Sequence, residues 1–525
     1  MHICRGCLIY CKAAGGNNVF IVTAKEMYDI DRYTMDTIGL EGKILMENAG
    51  RAIAEKIKQL IRKDECITIF IGPGNNGGDG FVIARTLLEE NYDLRAVQVV
   101  PDEKITGDAF YHKQVLIRCG GTVITTPSKT ELTNIIRNTD IIIDAVLGIG
   151  TKGPLRQPIK DVVQLVNDSN AVIFSVDIPS GLPADEGLSE FTAVKADQTF
   201  VVGAPKVSAF LPHTAPYYGK WQVVSIGFLP RVMEKFTRRK HWNKNAAMET
   251  LPNRDPYAHK GHHGRGLIIG GSLMMPGAIT MTAKAALRAG AGLITAATVP
   301  SAFSAIQAHC PEAMCFPLEE KEGWIIPSKL QLDAFNAIAI GIGMGRFEES
   351  GKFVAQIVEQ AKCPLIIDAD GLHHLTSHLN LLKERSFPTV ITPHPKEMAR
   401  LLDVSVKDVL LKPFYFSAAF AEKYGVYVVL KGKHTVITSP ESIQAVNDTG
   451  NQGLAKGGSG DVLTGIILAM VMQKQPLFTA ICNACFIHGK AADLQIDKGH
   501  TYYDLLATDV IEGIPDAYRT ISNSL

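Results

Sequence analysis

The 525-residue chain has no surplus of either charge, since 53 Lys and Arg stand against 53 Asp and Glu. That balance excludes a nucleic-acid or membrane surface driven by net charge. Long apolar runs are also missing. The longest, VLTGIILAMVM at 462–472, is too short to span a bilayer and reads as a buried helix. The 10 cysteines do not form a disulfide scaffold: Cys66, Cys119 and Cys363 lie singly in apolar stretches, as suits a reducing cytoplasm. Cys482 and Cys485 form a CxxC within LFTAICNACFIHGKAADL, a helical pattern in which small residues serve packing rather than redox chemistry. His309, Cys310 and Cys315 lack the second cysteine pair that a zinc site would need. Residues 1–19 show no periodicity and no signal-peptide core, and are expected to form an unassigned extension.

What the chain has is length, glycine and alternation. At 525 residues, two or three domains are expected. Residues 72–80 read GPGNNGGDG, a concentration of glycine that is costly to order. The residues before it, CITIFI, have the pattern of a buried strand. FVIARTLLEE, at 81–90, has that of a helix. A glycine-rich turn into a helix N-terminus offers free N–H groups and a positive dipole end, so a phosphate is the natural guest. Strand-like runs without polar alternation recur from CITIFI to WQVVSIGF, separated by helical patterns, and indicate a parallel sheet covered on both faces. Residues 230–256 break this pattern and mark the boundary between domains expected at 20–238 and 241–525. A second alternating series runs from GLIIGGS (266–272) to VYVVLKG (426–432), and LAKGGSGDVLTG (454–465) adds another glycine-rich helix start.

Gly72, Gly74 and Gly77 satisfy GxGxxG, with Asp102 or Glu103 near the usual acidic position, but a lone match is weak. Pro73, Asn75, Asn76 and Asp79 are not what hydride transfer needs, and a tight turn with Asn and Asp capping a helix is the plainer alternative. Two further segments end neighbouring strands: DAVLGIGTKGPLRQP (144–158) and SVDIPSGLP (175–183). Asn76, Asp144 and Ser180 thus come from three loops at strand ends and are hard oxygen donors suited to an alkali or alkaline-earth cation. Asp177 is left as a carboxylate free for proton transfer.

GPGNNGGDG, DAVLGIGTKGP and VDIPSGL, following an LMENAG helix, resemble the NAD(P)H-hydrate epimerase domain. The resemblance implies a Rossmann-like doubly wound sheet that binds NADHX and NADPHX, the hydrated nicotinamide nucleotides, with a potassium ion. Substrate contacts would come from Asn75, Asn76, Gly77, Gly78 and Asp79, and from Gly148, Ile149, Gly150, Thr151, Lys152, Gly153 and Pro154. Potassium would be held by Asn76, Asp144 and Ser180, with Asp177 facing the nicotinamide-derived ring. From HKGHHGRGLIIGG onward, GIGMG, DADGL, TPHPKEMARLL, LKGKHT and NQGLAKGGSGDVLTG resemble the ribokinase-like NAD(P)H-hydrate dehydratase, in that family's order. The epimerase and dehydratase are often fused in microbes. Here Ala278, Gly343, Gly345, His394 and Asp461 would line the NADHX pocket, with Asp461 as general base. ADP, with Mg2+, would be held by Lys431, Gly432, Lys433, His434 and Thr435 and by Asn451, Gly457, Gly458, Ser459 and Gly460. Lys433 and His434 depart from the small residues common in that loop, and His259, His262 and His263 fit a lid or phosphate neighbour better than zinc. The expectation is an α/β protein of two domains: a cytoplasmic, bifunctional repair enzyme acting on small molecules, with no nucleic acid or membrane partner, assembled as a homo-oligomer. The nearest alternative is a vitamin-precursor kinase of the ribokinase superfamily carrying an accessory domain.

Overall fold

The computed structural model describes residues 19–151 and 153–522, which divide into two compact units, Val19–Arg238 and Arg239 onward. In the first, helices α1 (Ala24–Tyr33) and α2 (Gly42–Lys58) precede a parallel sheet. Its strands are β1 (Ile67–Ile71), β2 (Leu94–Gln98), β3 (Val123–Thr125), β4 (Ile141–Ala145), β5 (Val172–Val176), β6 (Gln198–Val202) and β7 (Lys220–Val224). Their order across the sheet is β3-β2-β1-β4-β5-β6-β7, every pair parallel. The Ile-rich sequences of β1 (ITIFI) and β4 (IIIDA) explain this: both are buried at every position, which only a sheet covered on both faces allows. Winding proceeds outward from β1 in one direction and from β4 in the other, so a crevice opens beyond the C-terminal ends of these two strands.

The second unit repeats the logic with a different topology. Its strands are β8 (Arg239–His241), β9 (Arg265–Gly270), β10 (Leu293–Thr298), β11 (Met314–Pro317), β12 (Ala337–Ile342), β13 (Leu365–Ile367), β14 (Thr389–Ile391), β15 (Tyr427–Leu430), β16 (Thr435–Thr438) and β17 (Gln444–Asn447). They lie in the order β8-β17-β16-β15-β14-β13-β12-β9-β10-β11, parallel except where β16 meets β15 and β17. The winding reverses between β9 and β12, whose register pairs Gly270 with Ile342 at the C-terminal end. Helices α4 (Pro276–Arg288), α5 (Pro395–Leu402), α6 (Ser459–Val471) and α7 (Leu477–Asp497) carry the motifs, and α3 (Asn75–Glu89) does so in the first unit.

The strands β8, β11, β16 and β17 escape the sequence patterns. β8 reads RKH, polar throughout, and β16 begins inside the KGKHT segment, where glycine and charge hide the start of TVIT. Residues 230–256 are not the irregular break that their composition suggests, because they hold β8 and the short helices Pro230–Phe236 and Lys244–Thr250. Among the described residues no helix is long and apolar enough to cross a membrane. The apolar run at 462–472 is almost wholly α6, buried from Val462 to Met470.

Candidate functional site

The glycine-rich motif turns into a helix six residues earlier than its pattern suggests, with α3 starting at Asn75 rather than at Phe81. Close approach explains both the early start and the glycines. A Cβ on Gly72 would lie 1.8 Å from the Val146 carbonyl oxygen, one on Gly77 2.0 Å from that of Gly72, and one on Gly78 2.3 Å from Met46 Sδ on α2. The glycines therefore let α3 press onto the strand ends and onto α2, and they leave its N-terminal N–H groups at the mouth of the crevice.

Asn76 and Ser180 meet at the backbone of Leu147, and Asp144 joins them through Ser180. Asn76 Nδ2 donates to the Leu147 carbonyl at 2.9 Å, and Ser180 Oγ accepts from the Leu147 N–H at 2.7 Å. Ser180 Oγ in turn donates to Asp144 Oδ1 at 2.5 Å. Asp144 Oδ2 accepts from the Ser180 N–H at 2.8 Å and from Ser175 Oγ at 2.9 Å; β5 places Ser175 in register beside it. Burial pulls the Asp144 carboxyl up against these donors, and its net shift is upward. Asn76 Oδ1 is buried with no hydrogen-bond partner. A buried acceptor without a donor is costly, so an oxygen-seeking cation fits this position.

Beside this cluster lies a cavity of about 1230 Å³. Of the expected substrate residues, its wall includes Asn75, Asp79, Ile149, Gly150 and Thr151. Asn76, Gly77, Gly78 and Gly148 sit behind that wall, with Gly148 packed over Asn76. Gly153 and Pro154 do not reach the wall, and Lys152 lies outside the described residues. Asp177, left free by the sequence reading, is engaged: Lys206 Nζ donates to its Oδ1, and so does the Val202 N–H at 3.0 Å. Lys206 is wholly buried and also donates to the Ala204 carbonyl at 3.1 Å. Asp177 stands at φ +66°, a left-handed conformation that a non-glycine residue adopts at a cost of order 1–3 kcal/mol.

Sequence reasoning missed Tyr28 and Asp31 of α1, both on the cavity wall, and Lys206. Residues 28 and 31 are three apart and so share one helix face, but no glycine motif flags them. A Cβ on Gly150 would meet Tyr28 Oη at 2.8 Å, so the phenol lies over the expected binding loop. Burial pushes Asp31 up to about 6, with Lys206 pulling down and Asp177 pushing up. Asp79 is driven well above the usual carboxylate range by burial, then by Asp177 and Asp31.

In the second unit α6 opens on Gly458, held at φ +91°. Glycine is required there for its backbone angle, and the first N–H groups of α6 have no intrahelical partner. Asp461 follows within the first turn. Burial, and then Asp368, push its carboxyl up to about 7, with Lys431 pulling down. Asp368 is nearly fully buried, accepting from Lys431 Nζ at 2.9 Å and Thr464 Oγ1 at 2.7 Å. Burial pulls Asp368 up, but these partners hold it below its ordinary value. A Cβ on Gly460 would lie 3.4 Å from Lys431 Nζ, so the ammonium stands beside the glycine-rich turn.

A cavity of about 810 Å³ gathers this turn with most of the expected nucleotide residues. Gly458, Ser459, Gly460 and Asp461 form one side; Lys431, Gly432, Lys433 and Thr435 form another, with Asn451 and His394 completing the wall. His434 and Gly457 are not on it. Lys433 Nζ donates to the Gly450 carbonyl at 2.9 Å, which bends this long side chain along the wall. His394 is half exposed and caps α5, its Nδ1 accepting from Lys396 and Glu397 N–H groups at 3.1 Å. Ala278 and Gly343 meet at the switch between β9 and β12, where a Cβ on Gly343 would lie 2.7 Å from that of Ala278. Gly345 is fixed by Asp370 at 2.9 Å. Thr282 Oγ1 donates to the Asp461 carbonyl at 3.0 Å, joining the helix of Ala278 to the turn of Asp461. Cys482 and Cys485 are buried, with Cys485 pushed up to about 12 by burial, as packing thiols would be. No group of three or more His, Cys, Asp or Glu among the described residues is placed to hold a metal.

Two family models match the chain in succession, the YjeF-related protein N-terminus over residues 42–208 and NAD(P)H-hydrate dehydratase over 266–516. The class is a fused, two-unit enzyme whose second half is of the NAD(P)H-hydrate dehydratase type. The chain belongs to the family of bifunctional NAD(P)H-hydrate repair enzymes. A curated member from Moorella thermoacetica is 31% identical over 524 residues, covering 97% of this chain and 98% of the relative. The Escherichia coli member is 33% identical over 482 residues, covering 91% and 90%. Among solved structures, the ADP/ATP-dependent NAD(P)H-hydrate dehydratase of Bacillus subtilis, co-crystallized with ATP/Mg2+, is 32% identical. It covers 54% of this chain and 98% of that one, with a TM-score of 0.47.

Proposed function

We propose that residues 20–238 interconvert the R and S epimers of NADHX and NADPHX, and that residues 241–525 dehydrate the S epimer to NADH or NADPH. ADP is consumed in the second step, giving AMP and phosphate. The observation that carries the reading is Asp461: a buried carboxyl pushed up to about 7, at the third residue of a glycine-capped helix, with Lys431 beside the same turn. Such a group takes the hydroxyl proton of the hydrated ring as its oxygen attacks the terminal phosphoryl group of ADP. The N–H groups of Gly458, Ser459 and Gly460 receive the negative charge of that transfer. Phosphate then leaves the ring carbon, the neighbouring carbon loses a proton, and the ring double bond returns. Lys431, Gly432, Lys433, His434 and Thr435, with Asn451 and Gly457, hold the nucleotide, whose phosphates bring Mg2+. Ala278, Gly343, Gly345 and His394 hold the NADHX ring system.

In the first half, Asn75 to Asp79 and Gly148 to Pro154 hold the dinucleotide. Asp177, with Lys206 as its counter-ion, faces the ring. Potassium is held by Asn76, Asp144 and Ser180, where it supplies the partner that Asn76 Oδ1 lacks. The protein works in the cytoplasm as a homo-oligomer, which its balanced charge permits.

The ion and the division of labour are tested together. Asp144→Asn should slow epimerisation while dehydration of pure S epimer with ADP proceeds as in the unaltered chain. The thermal midpoint of fragment 20–238 should be higher in potassium chloride than in choline chloride at equal ionic strength, and the variant should lose that difference. Equal loss of both activities in Asp144→Asn would refute separate sites, and a midpoint indifferent to potassium would remove the ion.

A further inference from the structure

Among the described residues, the Asp31 and Asp79 carboxyls accept no hydrogen bond and make no close ion pair, although both line the first unit's cavity. Asp79 is only 8% exposed. An unpaired carboxyl in such a position costs stability. Among the described residues, the buried cation acting on both, Lys206, is committed to Asp177 and to backbone carbonyls. Lys206 therefore acts on Asp31 and Asp79 only at a distance, and both carboxyls face the cavity, whose wall also carries Lys25 and Arg32. They come from different elements, Asp79 from the first turns of α3 and Asp31 from α1, with the Tyr28 hydroxyl on the same face of α1.

We propose that Asp79 and Asp31 are the acid–base pair of the epimerisation, an inference that rests on the epimerase reading of this cavity. In the hydrated ring, the carbon bearing the hydroxyl is bonded to the ring nitrogen. Asp79, protonated, gives its proton to that hydroxyl. The carbon–oxygen bond breaks with its electrons on oxygen, water departs, and the nitrogen lone pair forms a carbon–nitrogen double bond. The Asp177 carboxylate stabilises the resulting cation. Asp31, ionised, takes a proton from a water adding to the opposite face of the carbon, and the electrons of the double bond return to nitrogen. One water leaves and one enters, the proton passes from Asp79 to Asp31, and the reverse reaction exchanges their roles. Burial and the neighbouring carboxylates favour the protonated form of Asp79, whereas Asp31, raised only to about 6, yields its proton more readily.

The test uses the full chain and R epimer in water enriched in heavy oxygen, with epimers separated by chromatography. Each epimerisation in the unaltered chain should place heavy oxygen in the product hydroxyl. Asp31→Asn and Asp79→Asn should each slow epimerisation by about 10²- to 10⁴-fold, while dehydration of supplied S epimer with ADP is unchanged. Their thermal midpoints should not fall, because each change removes an unpaired acid and no partner. Epimerisation at the normal rate in both variants would overturn the assignment, and so would lowered midpoints, which would make the carboxyls structural. Epimerisation without heavy-oxygen uptake would overturn the water-loss step. If the unaltered chain does not epimerise at all, the epimerase reading itself falls.

Discussion

Asp461 and Asp31 are carboxyls held above their ordinary range chiefly by burial, Asp461 near 7 and Asp31 near 6. For Asp461 the consequence is a pH profile. A general base works ionised, so dehydration should rise as pH climbs through about 7 and level off above it. Asp461→Asn should reduce the rate by about 10² to 10⁴, with ADP affinity little changed and epimerisation retained. Near-normal NADH regeneration by the variant would remove Asp461 from the mechanism. The linkage to stability has the opposite direction. Because the folded group binds its proton more tightly than the unfolded one, this contribution is largest in acid and is lost as pH rises through the folded value. Asp461 was legible in the sequence because GGSG stands before it at a helix start. Asp31 was not: EMYDIDRY looks like an amphipathic surface helix, and only the packing of α1 beside the cavity gives that carboxyl a role. Lys206 was hidden likewise, as one lysine after an apolar strand, with its partner Asp177 a distant 29 residues away.

The glycine-rich turns carry the account at the scale of elements. Both open a helix, yet their glycines answer different demands. At α3 the glycines remove side chains so that backbone can touch backbone; at α6 Gly458 supplies a left-handed angle, and a Cβ there would also meet Met281 and Ala507. Gly77→Ala should therefore destabilise fragment 20–238, since overpacking of this kind costs about 1–3 kcal/mol, and the Gly72 carbonyl cannot yield as a flexible side chain would. Gly458→Ala should leave fragment 20–238 untouched and weaken ADP-dependent dehydration in the full chain. A melting curve of each variant against the unaltered protein checks the first, and rates at saturating ADP the second. The strands around these turns were easily found from their apolar runs. The antiparallel β16 was not, because Lys431, Gly432, Lys433 and Thr435 line the cavity wall and Thr435 also starts the strand.

The two units of the molecule use different sheet orders, and each places some of its expected residues where the winding reverses. In the first unit that point lies between β1 and β4, which bear the glycine motif and Asp144; in the second it lies between β9 and β12, which lead to Ala278 and Gly343. Each has its own core, one built on Ile53 to Val224 and one on Trp242 to Ile521. Expressed alone, residues 20–238 and 241–525 should each be soluble, one with epimerase and the other with dehydratase activity. Two insoluble fragments would contradict independent folding.

The most direct measurement gives the full chain a mixture of R and S NADHX, with ADP and Mg2+, and follows the absorbance of reduced nicotinamide to completion. The account predicts that the whole mixture becomes NADH, with AMP and phosphate released in step, while the isolated 241–525 fragment stops once the S epimer is spent. A full chain that stops at the same point as the fragment, or that forms a stable phosphorylated product, would contradict it.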